Sequence, residues 1–324
     1  MTSFKRYYLY RMRSGLIPFI TITVISMIMV ISTLAEGHNN QSSGLTVTTS
    51  LMGILATCMP ILEYAQLKSK RSLDTLFSLP VSRRNIVLAH FLSGYTQVAA
   101  IFTVSFVYLF INRVITGNFI VGYFFLYYVI AMVYGLLLYS IFSFIFNQAR
   151  TIVDGIIITA LYAIAPLLIS TGLESIINEF DSSDKFISVW YNLYTPMNRI
   201  TKVIRTACEP DKWIKDDSLK ADDIISIVVI TLLSAAAFIG LLYFFKNTRA
   251  EKEENISDSP FAYKTLIPIC GVAYTALGVF PLFILIPMIV GYIIYRRGFG
   301  FKKPDYICTA AVGILSIISY IILL

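Results

Sequence analysis

Charge is scarce along this chain of 324 residues: 14% are Asp, Glu, Lys or Arg, where a soluble globular protein carries roughly 25%. With 57% of residues hydrophobic and a mean hydropathy of +0.73, a soluble enzyme is excluded. The length divides more naturally into bilayer crossings of about 20 residues than into soluble domains. Imidazole is rarer still. His38 and His90 are the two histidines, and neither stands at a metal-ligand spacing from a cysteine or from the other. Cys58, Cys208, Cys270 and Cys308 include no close pair. They read as small apolar packing residues rather than as zinc ligands or a disulfide framework. Phosphate-binding motifs are missing: the chain has no G-x-x-x-x-G-K-[ST], no G-x-G-x-x-G and no polar stretch long enough to hold a nucleotide-binding domain. Transport powered by ATP therefore requires a second chain to supply it.

What charge there is has a pattern. The net charge is +7, but residues 174–223 hold ten acidic and seven basic side chains, so that stretch is −3 and the remainder +10. The excess of Lys and Arg falls in short loops, as the positive-inside rule requires of a polytopic membrane protein, and it gives no reason to expect a nucleic-acid partner.

Hydrophobic runs set the crossings. Residues 2–13 place Phe4, Tyr7, Tyr8 and Met12 on one side of a helix with Lys5, Arg6, Arg11 and Arg13 around the rest, the pattern of an interfacial helix on the cytoplasmic side. Residues 16–35 form the first crossing; at 20 residues the run is longer than a signal-peptide core and lacks an A-x-A site. A polar loop without Lys or Arg leads to a second crossing at 46–62, and residues 63–84 form the densest basic loop of the N-terminal half. Crossings follow at 86–111, capped by Ser82 with Asn85 in a weak capping box, at 119–146, at 151–172 and at 224–245. The aromatics Tyr123, Phe124, Phe125, Tyr127 and Tyr128 read as an interfacial belt. The polar insertion at 173–223 is external. In it, the run 185–208 has the spacing of short helices lying on the leaflet, with Trp190 and Tyr194 as anchors. Residues 265–295 are apolar but broken near Gly278 and Pro281. One tilted helix would put Arg296, Arg297, Lys302 and Lys303 outside, whereas a hairpin returns them to the cytoplasm and is favoured by the charge rule. Residues 306–324 make a last crossing, for nine membrane-entering helices.

The loop after the second crossing is not an ordinary one. Leu73, Leu76 and Phe77 fall at i, i+3 and i+4, an apolar stripe on a helix of about two turns that Pro80 terminates, with Asp74 and Thr75 on its polar side. Lys70-Arg71 and Arg83-Arg84 bracket it. Physically this is a helix-in-groove ligand on a stalk. Interfacial dipping of the leucines is the plainer alternative.

The sequence from Glu63 to Ile86, with E-Y, K-S-K-R-S-L-D, S-L-P-V and S-R-R-N-I in order, resembles the first cytoplasmic loop of type 2 ABC transporter permeases. The resemblance extends to the order of six crossings with a long external stretch before the sixth, over residues 2–245. It implies a coupling helix seated in a groove of a cytoplasmic ATP-binding cassette subunit, with the N-terminal helix touching the same subunit. By that resemblance the ATPase-subunit interface falls to Leu73, Asp74, Leu76, Phe77, Leu79 and Pro80, with Arg83 and Glu63 flanking. ATP and magnesium are expected on the partner, and no cofactor, metal or catalytic residue on this chain. The residues beyond 246 depart from the six-helix form.

Other polar residues have plainer readings. Asp154, one turn after Arg150, reads as half of an i,i+4 ion pair rather than a proton relay. Gln97, Thr151 and Thr159 read as bonds between neighbouring helices.

The expected fold is an all-α polytopic membrane protein. Residues 1–15 form an interfacial helix. Residues 16–245 form a six-helix transmembrane permease core, with a coupling helix at 72–80 and an external insertion at 173–223. Residues 246–264 are a cytoplasmic linker, and 265–324 the C-terminal membrane helices. The expected protein is a multi-pass permease subunit of the cell membrane with a cytoplasmic N-terminus. It pairs with a second permease, in a homodimer or heterodimer, amid membrane lipid, and exports an amphiphile, a hydrophobic peptide before a lipid or drug. The alternative is an ion-coupled secondary transporter or other ATP-independent integral membrane protein. That alternative calls for intramembrane carboxylates and repeated broken helices, of which only Asp154 comes close.

Overall fold

The computed structural model describes residues 3–36, 43–78, 80–116, 121–180, 221–246, 257, 259–276, 280–296 and 298–322. Among them every regular element is helical. The α-helices are α1 (Ser3–Ser14), α2 (Leu16–Glu36), α3 (Ser43–Tyr64), α4 (Lys70–Phe77), α5 (Arg83–Thr116), α6 (Val121–Asn147), α7 (Ile152–Phe180), α8 (Ala221–Lys246), α9 (Tyr263–Ala276), α10 (Pro281–Arg296) and α11 (Lys303–Ile322), with a 3-10 turn at Ala65–Lys68. Segments Gly44–Lys68, Arg83–Ile115, Val121–Asn147, Ile224–Lys246 and Lys303–Ile321 are long and apolar enough to cross a bilayer. The pair Phe4–Ser14 and Leu16–Ser32 meets that test together but bends by 52° at Gly15. The protein is an all-α multi-pass membrane protein. The run expected as short surface helices at 185–208, with Trp190 and Tyr194, lies outside the described residues, as does most of the linker at 246–264.

The chain divides into two units, Met1–Phe144 with Tyr194–Glu251, and Ile145–Leu193 with Lys252–Leu324. In the first, α3, α5 and α6 supply the core: Met52, Leu55 and Met59 from α3, Val98, Ile101 and Phe102 from α5, and Leu138, Tyr139 and Phe142 from α6 are all buried. Without a hydrophobic drive between helices in lipid, packing and interhelical hydrogen bonds hold them. The Tyr127 hydroxyl meets Thr48 and Thr49 of α3, each at 2.9 Å, and Tyr128 meets Thr103 of α5 at 2.9 Å. Tyr95 donates to the Met132 carbonyl at 2.8 Å. The aromatic start of α6 is therefore only partly a belt. Tyr123 and Phe125 are exposed, but Phe124 and Tyr127 are buried and stack with Phe106, because 124, 127 and 128 share one helical face. α5 begins as expected, with the Asn85 N–H donating to the Ser82 hydroxyl at 3.4 Å.

In the second unit, Ile158 of α7 and Leu266 of α9 pack in one cluster with Ala149 and Ala262, which precede the two helices, and Tyr162 of α7 donates to the Phe261 carbonyl at 3.1 Å. α9 and α10 run antiparallel: Tyr263 lies beside Tyr295, a Cβ on Gly291 would touch Ile267, and one on Gly271 would reach Met288. The apolar run at 265–295 is thus a pair of helices folded back on each other, each shorter than the roughly 20 residues that span a bilayer. Pro281 opens α10 at the position proline favours. Its far end is fixed by Arg296, which donates through Nε and one terminal nitrogen to the two carboxylate oxygens of Asp305, both at 3.0 Å.

One close approach in the first unit makes a stringent test. A Cβ on Gly94 of α5 would lie 2.0 Å from the Tyr139 hydroxyl and 3.0 Å from its Cζ, and Tyr139 is wholly buried. Gly94→Ala is expected to cost about 1–3 kcal/mol by overpacking, lowering the thermal midpoint of the detergent-purified protein. Adding Tyr139→Phe, which removes the nearest atom, recovers part of the loss; a wild-type midpoint for the single variant would show that the helices do not approach this closely.

Candidate functional site

The basic loop folds into two connected structures, one buried and one exposed. The buried one starts from Glu63 at the end of α3. Its side chain has almost no contact with solvent, and a carboxylate in that position demands compensation. Arg11 of α1 supplies it, donating from Nε to Glu63 Oε1 at 2.7 Å and from a terminal nitrogen to the Glu63 carbonyl at 2.9 Å, and from its other terminal nitrogen to Gln66. His90 of α5 closes the other side, with Nδ1 at 3.1 Å from the Glu63 carbonyl and 3.2 Å from Oε1. Both of those atoms only accept, so Nδ1 carries the proton. In the neutral ring, Nε2 then accepts from the Tyr7 hydroxyl at 2.9 Å. Tyr64 stacks on the imidazole with centroids 5.9 Å apart. Three helices meet on one carboxylate.

The exposed structure is α4. It runs over Lys70–Phe77, beginning two residues before the expected 72–80, and stops at Ser78, whose N–H donates to the Asp74 carbonyl at 3.1 Å. Pro80 lies beyond the helix, where it disfavours helical backbone in the residue before it. The stripe of Leu73, Leu76 and Phe77 is not free for a groove on another protein. Leu73 is 0% exposed, and Leu76 and Phe77 rest on a cluster of Tyr7, Ile86 and Ala89 with Phe4, Tyr8 and Val81. The aromatic side of α1 is the groove that receives them. Phe77 also meets Phe245 of α8 edge to face at 6.4 Å. The Arg83 guanidinium sits 4.4 Å over the Phe77 ring and donates to the Lys246 carbonyl, at the C-terminus of α8, at 3.4 Å.

Of the residues expected at an ATPase interface, Leu73 and Glu63 are therefore buried within the chain, and Leu76 and Phe77 are half-buried against it. Asp74, Pro80 and Arg83 are exposed. Leu79 lies outside the described residues. Arg71, Thr75 and Ser78 join the exposed face. The sequence reading missed Tyr7, Arg11, Gln66 and His90. The available signal was Tyr7 and Arg11 at i,i+4 on the first helix, and an acidic residue closing an apolar crossing.

The family model described as ABC-2 family transporter protein matches residues 4–195, more than half of the chain, from α1 through α7. The chain belongs to the ABC-2 transporter permease family. No curated protein and no solved structure matches it. Membership makes this protein a membrane subunit of an ABC transporter, and the family implies partnership with an ATP-binding cassette subunit. It also replaces the ion-coupled alternative. The buried carboxylate of this permease is already compensated by Arg11 and His90, as a structural lock is, rather than left to take up a coupling ion.

Removing one side of the lock strands a buried charge. Arg11→Met or Glu63→Met alone is expected to destabilise the permease by about 3–5 kcal/mol, whereas the double substitution, which removes both charges, costs less than either single change. Thermal unfolding of the four proteins in one detergent measures this; losses that simply add would mean the two side chains do not pair.

Proposed function

We propose that this permease is the membrane-spanning part of an ATP-driven exporter. It sits on a separate cytoplasmic ATP-binding cassette subunit, which carries the ATP and magnesium, and pairs with a second permease subunit. The observation that carries the reading is the fastening of α4. Its apolar side is held by α1 and α5, its aromatic end by α8, and Arg83 ties the same ring to the end of α8.

A push on α4 therefore reaches three helices without first bending a loop. Behind it, the Glu63 lock connects α1 and α5 to α3. Closure of two ATPases then moves α1, α3, α5 and α8 of the first unit together, the kind of rigid shift by which interfaces switch between two arrangements. The docking surface is the polar face of α4, with Arg71, Asp74, Thr75 and Ser78 exposed, together with Pro80 and the bases Arg83 and Arg84. Leu73, Leu76 and Phe77 act behind it as the seat. Lys5, Arg6, Arg13, Lys70, Arg71, Arg83 and Arg84 support a cytoplasmic placement of this side and of the N-terminus with it.

For cargo, scarcity of charge within the crossings favours an amphiphile, and a hydrophobic peptide is the first choice. Transport runs outward from the cytoplasm or the inner leaflet.

The test is co-purification from native membranes of the wild type and of Asp74→Lys with Thr75→Lys, a pair of exposed positions whose change leaves the seat intact. The wild type is expected to bring an ATP-binding cassette ATPase with it. The variant is expected to lose at least about 90% of it, because a reversed charge at an interface costs several kcal/mol, while keeping its thermal midpoint. Full retention of the ATPase by the variant would move the contact away from α4, and its absence from both preparations would end the reading.

A further inference from the structure

The second unit holds a cleft that the coupling machinery does not use. It lies between α7, α9 and α10 and encloses about 360 Å³, lined by apolar side chains that include Ile157, Leu161, Ile267, Met288 and Ile294. Polarity enters at one end, where Asp154, in the first turn of α7, faces Tyr263, the first residue of α9. The Tyr263 hydroxyl donates to Asp154 Oδ1 at 2.5 Å. The expected pair with Arg150 is not what forms: among the described residues the Asp154 carboxylate has the phenol as its side-chain partner and no cation within ion-pair distance. The residue lines an otherwise largely apolar cleft. A carboxylate so placed lacks the counter-charge that ionised groups in membrane proteins are normally given.

The geometry points to a lipid site: the cleft takes one acyl chain of an amine-headed phospholipid, with the ammonium resting on Asp154 and on the oxygen of Tyr263. Several observations select that occupant. The volume is at the small end of ligand pockets and suits one chain rather than a folded peptide. Ile157 and Ile294 are 43% and 68% exposed, so the cleft opens along a helix surface apolar enough to face acyl chains, and a lipid enters sideways. The polar end also carries Lys264 and Arg296 at neighbouring helix ends, which sets it at headgroup level, while the cleft runs from there along α9 and α10 toward Tyr274 and Ile284. Arg296 is spent on Asp305. A headgroup ammonium with three N–H donors fits a carboxylate oxygen and a phenol oxygen at once. An anionic glycerol headgroup offers hydroxyl donors but no positive charge to set against the carboxylate. This site goes beyond the coupling reading and stands whether or not α4 docks on an ATPase.

The full-length permease is reconstituted in nanodiscs of equal parts phosphatidylethanolamine, phosphatidylglycerol and phosphatidylcholine with identical acyl chains, and the lipid retained after mild extraction is counted by native mass spectrometry. The wild type is expected to enrich phosphatidylethanolamine about fivefold over phosphatidylglycerol, the scale of one partly screened ion pair. The enrichment over phosphatidylcholine is smaller, because its ammonium is charged but lacks N–H donors. Asp154→Asn should bring the ratios to near one without lowering the thermal midpoint, and Ile157→Trp, at the exposed mouth, should reduce retention of all three lipids. If Asp154→Asn does not fold, Tyr263→Phe serves, keeping the carboxylate and losing part of the enrichment. Equal retention of the three lipids by the wild type, undiminished enrichment in the variants, or a peptide in place of lipid in the extracted protein would each overturn the site.

Discussion

A carboxylate buried among apolar helices has to be neutralised, and in the first unit of this permease that requirement falls on Glu63. It is met from two directions, by Arg11 of α1 and His90 of α5, and meeting it fixes where those helices stand. α1 is too short and too polar to be placed by hydrophobic burial alone. The ion pair holds it against α3 and α5. Once α1 is there, Phe4, Tyr7 and Tyr8 face the start of α5 and form the bed on which α4 lies. The placement of α1 and the seat of α4 thus share one origin. The same buried pair contributes little by comparison with an apolar core of equal volume, and its value lies in specifying one arrangement.

That arrangement gives the apolar stripe of α4 a seat within the chain. An amphipathic helix held out on a stalk would present its apolar stripe to the partner and pass on force through flexible loops. Here the stripe is consumed internally. What α4 leaves exposed is a polar face backed by packed aromatics. Because Phe77 contacts both α1 and α8, and Arg83 spans from its ring to the last carbonyl of α8, α4 is fastened to both helices at once. Packed elements respond by moving as units rather than deforming.

The crossings were legible because a bilayer imposes length and apolarity on each helix separately. The starts and ends of α2, α3, α5, α6 and α8 lie within a few residues of the apolar runs that announced them, and Gly278 with Pro281 marked the break between α9 and α10. Contacts between helices were not legible. Arg11 and Glu63 are 52 residues apart and Asp154 and Tyr263 are 109 apart, and nothing in the local pattern around any of them names its partner. Asp154 shows the hazard, since a cation one turn away was the obvious mate and a phenol on a distant helix took its place. Aromatic composition misled for a related reason: at a membrane boundary the same residues make a belt or a core, and only the facing helix decides which. The stripe on α4 was read correctly as apolar and wrongly as vacant, because its seat comes from a helix whose own position depends on the buried pair.

The Arg11 to Glu63 bond also sets an order of events in biogenesis. α1 leaves the ribosome before its partners, which arrive only with the end of α3 and the beginning of α5, the imidazole of His90 being 83 residues downstream of Tyr7. Until then α1 carries four bases and an aromatic side with nothing of its own chain to rest on, so it waits among the headgroups. α1 is consequently locked only once α5 has begun, although it is made before α2, α3 and α4. A permease whose insertion fails before the end of α3 leaves α1 without Glu63, with a basic, aromatic helix displayed at the membrane surface as a mark of incomplete assembly.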